Sequence, residues 1–324
     1  MFILVSEVGP RDGLQSIRRA MPTGAKIRWI GALAAAGLRE IEVGSFVNPR
    51  KLPQMADAAE VVRAALAIPG LTVMALAPNL RGAQAAAEAG VRKVTMPVSA
   101  SNAHSLANIG VSTDRAIGQV GEVVAWRDTL PAGARPEIEI GISTAFGCTI
   151  EGPVAEDHVI DVAVRLAQAG ADSVGLSDGV GTANPAQVKR LFTRLRAELG
   201  DKAGGAHLHN TRGQGLANVV AALDAGVTTF DASQGGIGGC PYSPGATGNI
   251  VTEDLVWMLE AMGLDTGVDL DRLAAARAIL EEALPGEPVY GHLPDVGTEK
   301  GFRYAGGRAA VEGSGRAHRQ GVPA

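Results

Sequence analysis

A six-residue phrase, AGLREI at Ala36–Ile41, occurs in four versions along the 324-residue chain. The other versions are AGVRKV, AGADSV and AGVTTF, which begin at Ala89, Ala169 and Ala225. Each follows an alanine-rich amphipathic run, and glycine after such a run is a common left-handed helix stop. The apolar residues that come next are typical of a buried parallel strand. The phrase therefore predicts the end of a helix and the start of a strand.

The spacing of these phrases predicts a closed barrel. Four more strand candidates lie at Phe2–Glu7, Leu71–Leu76, Glu137–Ser143 and Ala206–His209. If the phrases carry strands 2, 4, 6 and 8, the units between Gly37 and Gly226 average about 31 residues, the length of a βα repeat. We therefore predict an α/β protein with a (β/α)8 TIM barrel. A doubly wound open sheet is the alternative, which the lack of a phosphate-binding fingerprint disfavours.

The pattern changes after the eighth predicted strand. Val251–Met262 and Asp271–Leu284 indicate extra C-terminal helices. We predict one catalytic domain over residues 1–285, made of the barrel and these helices. The remaining residues, 286–324, are predicted to form a C-terminal extension that is partly mobile, because its end is rich in Gly, Ala and Arg.

The composition excludes several classes of protein. With 46% hydrophobic residues and a net charge of −5, the chain is neither disordered nor a typical nucleic-acid binder. No stretch approaches the roughly 18–20 apolar residues of a membrane span, and the first residues lack a secretory or transit signal. Two cysteines do not form a disulfide framework in a chain of this size. We expect a cytoplasmic globular protein that binds neither nucleic acid nor membrane.

Ionisable residues collect at the predicted carboxyl ends of the strands, where TIM barrels place their active sites. Strand 1 leads into Glu7–Gln15 (EVGPRDGLQ), Glu42 and Ser45 are predicted to follow strand 2, and Asp178 follows strand 6. Strand 8 leads into Asp231. These positions predict an active site at the end of the barrel where the carboxyl ends of the strands meet.

A histidine pair lies at the end of strand 7. His207 and His209 project from the same face because side chains alternate along a strand. Asp12 can add a carboxylate oxygen, since only strand 8 separates strands 1 and 7 around a closed barrel. Nitrogen and oxygen ligands without a thiolate suit Mg²⁺, Mn²⁺, Fe²⁺ or Zn²⁺. A pair that only hydrogen-bonds within the rim is the alternative.

A glycine- and proline-rich loop, Gly235–Asn249, follows strand 8. Its glycines let the backbone approach a ligand closely. Cys240 at its centre is a candidate nucleophile or general acid, because such a loop is an unusual place for a cysteine that only packs.

The sequence resembles the 3-hydroxy-3-methylglutaryl-CoA lyase family, a group of metal-dependent TIM-barrel lyases, from about Val5 to Gly267. Three segments carry the resemblance: Glu7–Gln15, the His-x-His of strand 7, and the run from Gly238 through Cys240 to Leu255. The related condensing enzymes share the metal site but lack the cysteine loop. The resemblance implies a (β/α)8 barrel and a carbon–carbon lyase that acts on an acyl-CoA.

The resemblance also implies roles for individual residues. The divalent metal, Mg²⁺ or Mn²⁺, would be held by Asp12, His207, His209 and Asn249. The catalytic residues would be Arg11 at the thioester oxygen, Cys240 as the acid that protonates the leaving carbanion, Asp178 near the reacting hydroxyl and Glu42 at the rim. Gln15 would lie beside the substrate, and Arg18 is suited to the phosphates of CoA.

We expect retro-Claisen cleavage of 3-hydroxy-3-methylglutaryl-CoA, or of a closely related 3-hydroxy-3-substituted acyl-CoA, to acetyl-CoA and a keto acid such as acetoacetate. A homo-oligomer, a dimer or larger, and a role in leucine degradation are also expected. The alternatives are a condensing transferase of the isopropylmalate or homocitrate synthase type, a lyase for citramalyl-CoA, and a barrel that binds an acyl-CoA or a protein partner without turnover.

Three departures from the family pattern concern which acyl group the enzyme accepts. Asn210 follows the second histidine where the family usually has Asp, the strand-6 loop reads SDGVG at Ser177–Gly181, and Pro97–His104 differs near the expected acyl-CoA region. None of them removes a metal ligand or Cys240.

Overall fold

The computed structural model describes residues 1–239 and 247–307. Eight parallel strands form a closed barrel in chain order, and β8 pairs with β1 from Leu4↔Thr229 to Glu7↔Ala232. The strands are β1 Leu4–Glu7, β2 Glu40–Ser45, β3 Thr72–Leu76, β4 Lys93–Ser99, β5 Glu137–Ser143, β6 Ser173–Asp178, β7 Ala203–Leu208 and β8 Thr229–Ala232. The predicted TIM barrel is confirmed, and the open-sheet alternative is wrong.

Helices surround the barrel. They are α1 Thr23–Ala35, α2 Ala58–Leu66, α3 Leu80–Glu88, α4 Asn102–Ile109, α5 Thr113–Asp128, α6 Glu156–Gln168, α7 Pro185–Leu199, α8 Gly215–Asp224, α9 Thr252–Ala261, α10 Leu270–Ala283 and the short α11 Leu293–Val296. Two of them, α4 and α5, lie between β4 and β5, and α9 and α10 confirm the predicted C-terminal helices. None of the described helices is long and apolar enough to cross a membrane.

The glycines of the repeated phrase stop helices as predicted. Gly37, Gly90, Gly170 and Gly226 all have positive φ, between 87° and 111°. At Gly37 a Cβ would also lie 2.3 Å from the carbonyl oxygen of Gly267, so the segment before α10 packs directly on this turn.

The start of β7 differs from the prediction. β7 begins at Ala203 rather than Ala206, because Gly204 and Gly205 belong to the strand and not to a turn. A Cβ on Gly205 would lie 2.8 Å from the carbonyl oxygen of Thr229, so this glycine permits close packing of β7 against β8.

The described part of the C-terminal extension packs on the barrel. Phe302 and Tyr304 are buried, and the Tyr304 hydroxyl accepts a hydrogen bond from the backbone N–H of Leu270, 3.0 Å away. Residues 286–307 therefore cover α9 and α10. The predicted mobility of the extension stays a prediction, since residues 308–324 lie outside the described residues.

Replacing Gly37 with Ala is expected to destabilise the protein, because the new Cβ meets the backbone of Gly267 and Gly37 has a φ of 111°. We expect a loss of about 2 kcal/mol or more, measured by urea unfolding. Gly31→Ala is the matched control: Gly31 lies in α1 with no atom within 4 Å of an added Cβ, and it should be neutral or stabilising. Equal midpoints for the two variants would contradict this packing.

Candidate metal centre and active site

The turn after β1 places two charged side chains at the barrel mouth. β1 ends at Glu7, and a short π-helical turn over Gly9–Gly13 presents Arg11 and Asp12. A Cβ on Gly9 would lie 2.5 Å from Oε1 of Glu7, so the turn needs glycine there. The sequence GPRDG thus forms a tight turn that fixes both charged groups.

Two imidazoles approach each other at the end of β7. Nε2 of His207 lies 3.1 Å from Nε2 of His209. Nδ1 of His207 lies 3.0 Å from a carboxylate oxygen of Asp231 on β8. That carboxylate favours the tautomer with the proton on Nδ1, which leaves Nε2 of His207 available as a metal ligand.

Asp12 completes a cluster of possible metal ligands. Its ligand oxygen and one nitrogen each of His207 and His209 lie within 4.8 Å of one another. Oδ1 of Asp12 accepts hydrogen bonds from Arg11 and Gln15, at 2.7 and 3.0 Å. Its Oδ2 accepts from the side-chain amide of Asn249, at 2.8 Å. The predicted ligands Asp12, His207, His209 and Asn249 are thus brought together.

The chemistry of this cluster fits a divalent cation. Burial acts to raise the pKa of Asp12, but Arg11 and the two histidines outweigh it and hold that pKa at about 2. Burial, reinforced by the neighbouring His207, lowers the pKa of His209 to about 3. An ionised carboxylate and a neutral imidazole are the forms that bind metal. Nδ1 of His209 and Oδ1 of Asn249 are also buried without a hydrogen-bond partner among the described residues.

Arg11 is held beside the cluster by a carboxylate on the neighbouring strand. Its guanidinium forms an ion pair with Glu42, which also accepts a hydrogen bond from the hydroxyl of Thr95. Burial raises the pKa of Glu42, although the charge of Arg11 opposes the shift. Glu42 and Ser45 lie inside β2 and not after it, so the predicted end of that strand was wrong.

These side chains open into a cavity of about 1000 Å³. Asp12, Arg11, Gln15, His207 and His209 line it, together with Gly236–Gly239 and Gly248 from the two ends of the glycine-rich loop. A cavity of this size accommodates an acyl group with part of a large carrier.

Comparison with known proteins identifies the family. The family model described as HMGL-like matches residues 3–280. The chain belongs to the HMGL-like family. Hydroxymethylglutaryl-CoA lyase of Pseudomonas mevalonii is 43% identical over 84% of this chain and 89% of its own length. Hydroxymethylglutaryl-CoA lyase YngG of Bacillus subtilis is 40% identical over 89% of this chain and 94% of its own.

Solved structures of the family have the same fold. An HMG-CoA lyase from Acinetobacter baumannii, in complex with coenzyme A and 3-methylmalate, superposes with a TM-score of 0.86 at 37% identity. The match covers 92% of this chain and 96% of that one. The HMG-CoA lyase of Bacillus subtilis superposes with a TM-score of 0.84 at 39% identity, over 90% and 96% of the two chains. This HMGL-like protein is therefore a carbon–carbon lyase.

Two predicted site residues have other surroundings in this HMGL-like lyase. Asp178 is buried, and its two carboxylate oxygens accept the backbone N–H groups of Thr182 and Ala183, each at 2.9 Å. It shapes its own loop, and its catalytic role stays a prediction. Arg18 is exposed and does not line the cavity, whereas Lys51 does.

The loop that carries the predicted acid is only partly described. Cys240 lies outside the described residues, so its role rests on the resemblance. Gly238 and Gly248 on either side pack tightly: a Cβ on Gly248 would lie 2.2 Å from the carbonyl oxygen of Gly236. The ends of this loop therefore lie beside Asp12, one of the possible metal ligands.

Sequence reasoning missed the structural role of Glu7. Its Oε1 accepts the backbone N–H groups of Gly9 and Gln234, at 2.9 and 3.0 Å, and its Oε2 accepts from the hydroxyl of Thr252, at 2.7 Å. Glu7 thus joins the turn of Arg11 to the loop after β8 and to α9. A carboxylate as the last residue of a strand was the signal, but two of its three partners, Gln234 and Thr252, lie more than 200 positions away in the chain.

The Glu7→Gln variant is expected to change how stability depends on pH. Burial raises the pKa of Glu7 from 4.5 to about 8, so between these values the folded protein binds a proton that the unfolded chain does not. Stability should therefore fall as pH rises through this window, with this group adding a slope of up to about 1.4 kcal/mol per pH unit. Glutamine does not ionise, so the variant lacks this contribution to the pH dependence of stability.

Urea unfolding of both proteins between pH 5 and pH 8 measures the difference. The stability of the wild type relative to Glu7→Gln should decrease toward pH 8. Glu88→Gln, at an exposed position on α3, is the control and should follow the wild-type curve. Parallel curves for the wild type and Glu7→Gln would show that Glu7 ionises normally.

Proposed function

We propose that this lyase cleaves 3-hydroxy-3-methylglutaryl-CoA to acetyl-CoA and acetoacetate, with Mg²⁺ or Mn²⁺ held by Asp12, His207, His209 and Asn249. The observation that carries the proposal is the approach of His207, His209 and Asp12 within 4.8 Å, beside Arg11. Relatives at about 40% identity are named as lyases for this substrate, and one solved neighbour binds coenzyme A. No observation favours a condensing transferase.

A divalent cation at this cluster would act as a Lewis acid toward the substrate oxygens and lower the pKa of the hydroxyl. The chain's own residues orient that centre. Asp231 fixes the ring of His207, and the paired bonds to Asp12 from Arg11 and Asn249 hold the carboxylate. The ligands therefore need little rearrangement when substrate arrives.

We assign to Arg11 the stabilisation of the negative charge that develops on the thioester oxygen. Its ion pair with Glu42 fixes the guanidinium, and its N–H donors suit an oxyanion. Gln15, which donates to Asp12, is our candidate for contact with the substrate beside Arg11. Lys51, at the cavity wall, replaces Arg18 as our candidate for the phosphates of CoA.

Cys240 is proposed to protonate the acetyl-CoA carbanion. A thiol with a pKa of about 8.5 is a competent proton donor near neutral pH. Support comes from the resemblance and from the described ends of its loop, which line the same cavity as Arg11. The cytoplasmic location, the homo-oligomer and the leucine-degradation role stay predictions.

Product analysis tests the proposed function. The purified protein with Mg²⁺ or Mn²⁺ is incubated with 3-hydroxy-3-methylglutaryl-CoA, with citramalyl-CoA, and with acetyl-CoA plus an α-keto acid. Mass spectrometry should detect acetyl-CoA and acetoacetate from the first substrate. Release of acetyl-CoA only from citramalyl-CoA, or consumption of acetyl-CoA, would replace the proposal with one of the other reactions.

The Cys240→Ala variant should lower kcat by about 10²–10⁴, the range for a lost general acid, with little change in metal affinity. Cys148→Ala is the matched control, because Cys148 is a buried cysteine outside the cavity lining and should retain activity. Steady-state kinetics with saturating Mn²⁺ measure both. Unchanged activity of Cys240→Ala would assign the proton donor elsewhere.

A further inference from the structure

A buried lysine outside the active-site cavity holds a loop that forms part of the cavity wall. The loop, residues 46–57, joins β2 to α2, and we call it the β2–α2 loop. Residues 48–51 at its tip are exposed, and Lys51 and Leu52 line the cavity. Exposed loop segments have little stability of their own. The position of this part of the wall therefore depends on where the loop is attached.

Lys26, in the first turn of α1, attaches the end of the β2–α2 loop. It is only 2% exposed. Its Nζ donates to the backbone carbonyl of Gln54, 2.6 Å away, and to a carboxylate oxygen of Asp57, 2.7 Å away. The other oxygen of Asp57 accepts from the hydroxyl of Thr23, at 2.8 Å. Because a buried ammonium and its acceptors need each other, these bonds fix the end of the loop to α1.

The same attachment reaches the segment that follows Asp12. The side-chain amide of Gln54 donates to the backbone carbonyl of Ile17, at 3.0 Å. Ile17 is buried and lines the cavity. Gln54 is therefore bonded on two sides, by Lys26 at its carbonyl and to Ile17 through its amide. The β2–α2 loop is held against the segment that carries a possible metal ligand.

Lys51 gives this part of the wall a positive charge. Its ammonium has no ion-pair partner among the described residues, whereas the guanidinium of Arg11 is paired with Glu42 and Asp12. The carboxylates that line the same cavity are those of Asp12, Glu42, Glu139, Asp231 and Glu287. An anionic group that enters the cavity therefore meets an unpaired cation at the β2–α2 loop. The attachment of the loop decides where that cation lies.

We propose that Lys26 is a positioning residue, which holds the β2–α2 loop through Gln54 and Asp57 and so keeps Lys51 at the cavity wall. It thereby sets the affinity for the phosphate-bearing arm of an acyl-CoA and takes no part in bond cleavage. This inference rests on the proposed function and deepens it. Without the ammonium, the carbonyl of Gln54 and the carboxylate of Asp57 lose a buried donor, and the end of the loop is released from α1.

A double-mutant cycle between Lys26 and Lys51 tests the proposal. The variants are Lys26→Met, which keeps the length of the side chain without its charge, Lys51→Ala, and the two combined. Lys26→Arg is the conservative replacement. Calorimetry gives Kd for coenzyme A, steady-state kinetics with 3-hydroxy-3-methylglutaryl-CoA and Mn²⁺ give KM and kcat, and circular dichroism verifies folding.

Lys51→Ala should raise Kd and KM about 10-fold, the value of an interaction with a charged group. Lys26→Met should raise them about 5- to 10-fold and change kcat less than about threefold. The combined variant should bind coenzyme A within about twofold of Lys51→Ala, because the two residues act through one contact. Lys26→Arg should recover most of the affinity that Lys26→Met loses.

Gly37→Ala is the control for loss of stability alone. Gly37 follows the other end of α1 and packs on Gly267, so this variant should keep the wild-type Kd for coenzyme A. An equal loss of affinity in Gly37→Ala would show that Lys26 only supports the fold.

Unchanged Kd in Lys26→Met or in Lys51→Ala would overturn the proposal, and so would effects that multiply in the combined variant. If Lys26→Met does not fold, Asp57→Asn weakens the same attachment and gives the same comparison. If the wild type releases no acetyl-CoA, the proposed function fails, whereas the cycle measured with coenzyme A still tests the role of Lys26.

Discussion

Closure of the barrel between β1 and β8 is the constraint on which the site depends. Asp12 follows β1 and His207 lies on β7, so they are far apart in the chain and become neighbours only because β8 joins the two strands. The same closure places Asp231 of β8 against Nδ1 of His207. An open sheet with the same strands would leave the carboxylate and the imidazoles at opposite edges. The backbone pairing of β8 thus brings the candidate ligands together, and their surroundings keep Asp12 ionised and His209 neutral, the forms that bind a divalent cation.

Glycines allow the turn after β1 and the loop after β8 to pack closely beside the possible metal ligands. A Cβ on Gly13 would lie 2.6 Å from the side chain of Ile237, and a Cβ on Gly238 would lie 2.6 Å from the amide of Asn249. A Cβ on Gly238 would also lie 3.1 Å from the Cα of Gly13, so the turn after β1 and the loop after β8 pack closely against each other. Glu7 joins them with three hydrogen bonds from beneath. The 43 glycines of the chain include three structural groups: left-handed helix stops in the βα units, Gly204 and Gly205 in the packing of β7, and the glycines of close approach around Asp12 and Asn249.

The barrel could be predicted from the sequence because the βα units repeat one local pattern, a glycine that ends the helix and an apolar strand after it. The helix stops at Gly37, Gly90, Gly170 and Gly226 and the strands after them follow from short-range backbone chemistry, and all were confirmed. The approach of Asp12, His207 and His209 was predictable because the alternation of side chains along a strand and the order of strands in a barrel are general rules. The role of Glu7 was not predictable, since it depends on contacts with Gln234 and Thr252, far away in the chain. The environment of Asp178 was not predictable either, because it depends on how the backbone of Thr182 and Ala183 folds back onto the carboxylate. The boundary of β7 was misread because Gly204 and Gly205, usually turn residues, serve there for close strand packing.

The central claim is that Asp12, His207 and His209 form a divalent-metal site in this lyase. Titration of the protein with Mn²⁺, followed by electron paramagnetic resonance of the free ion, tests it most directly. The wild type should bind one Mn²⁺ per chain, and Asp12→Ala should bind it at least about 10-fold more weakly. Asp224→Ala, at an exposed position on α8, should match the wild type. Equal Mn²⁺ affinity in the wild type and Asp12→Ala would contradict the account.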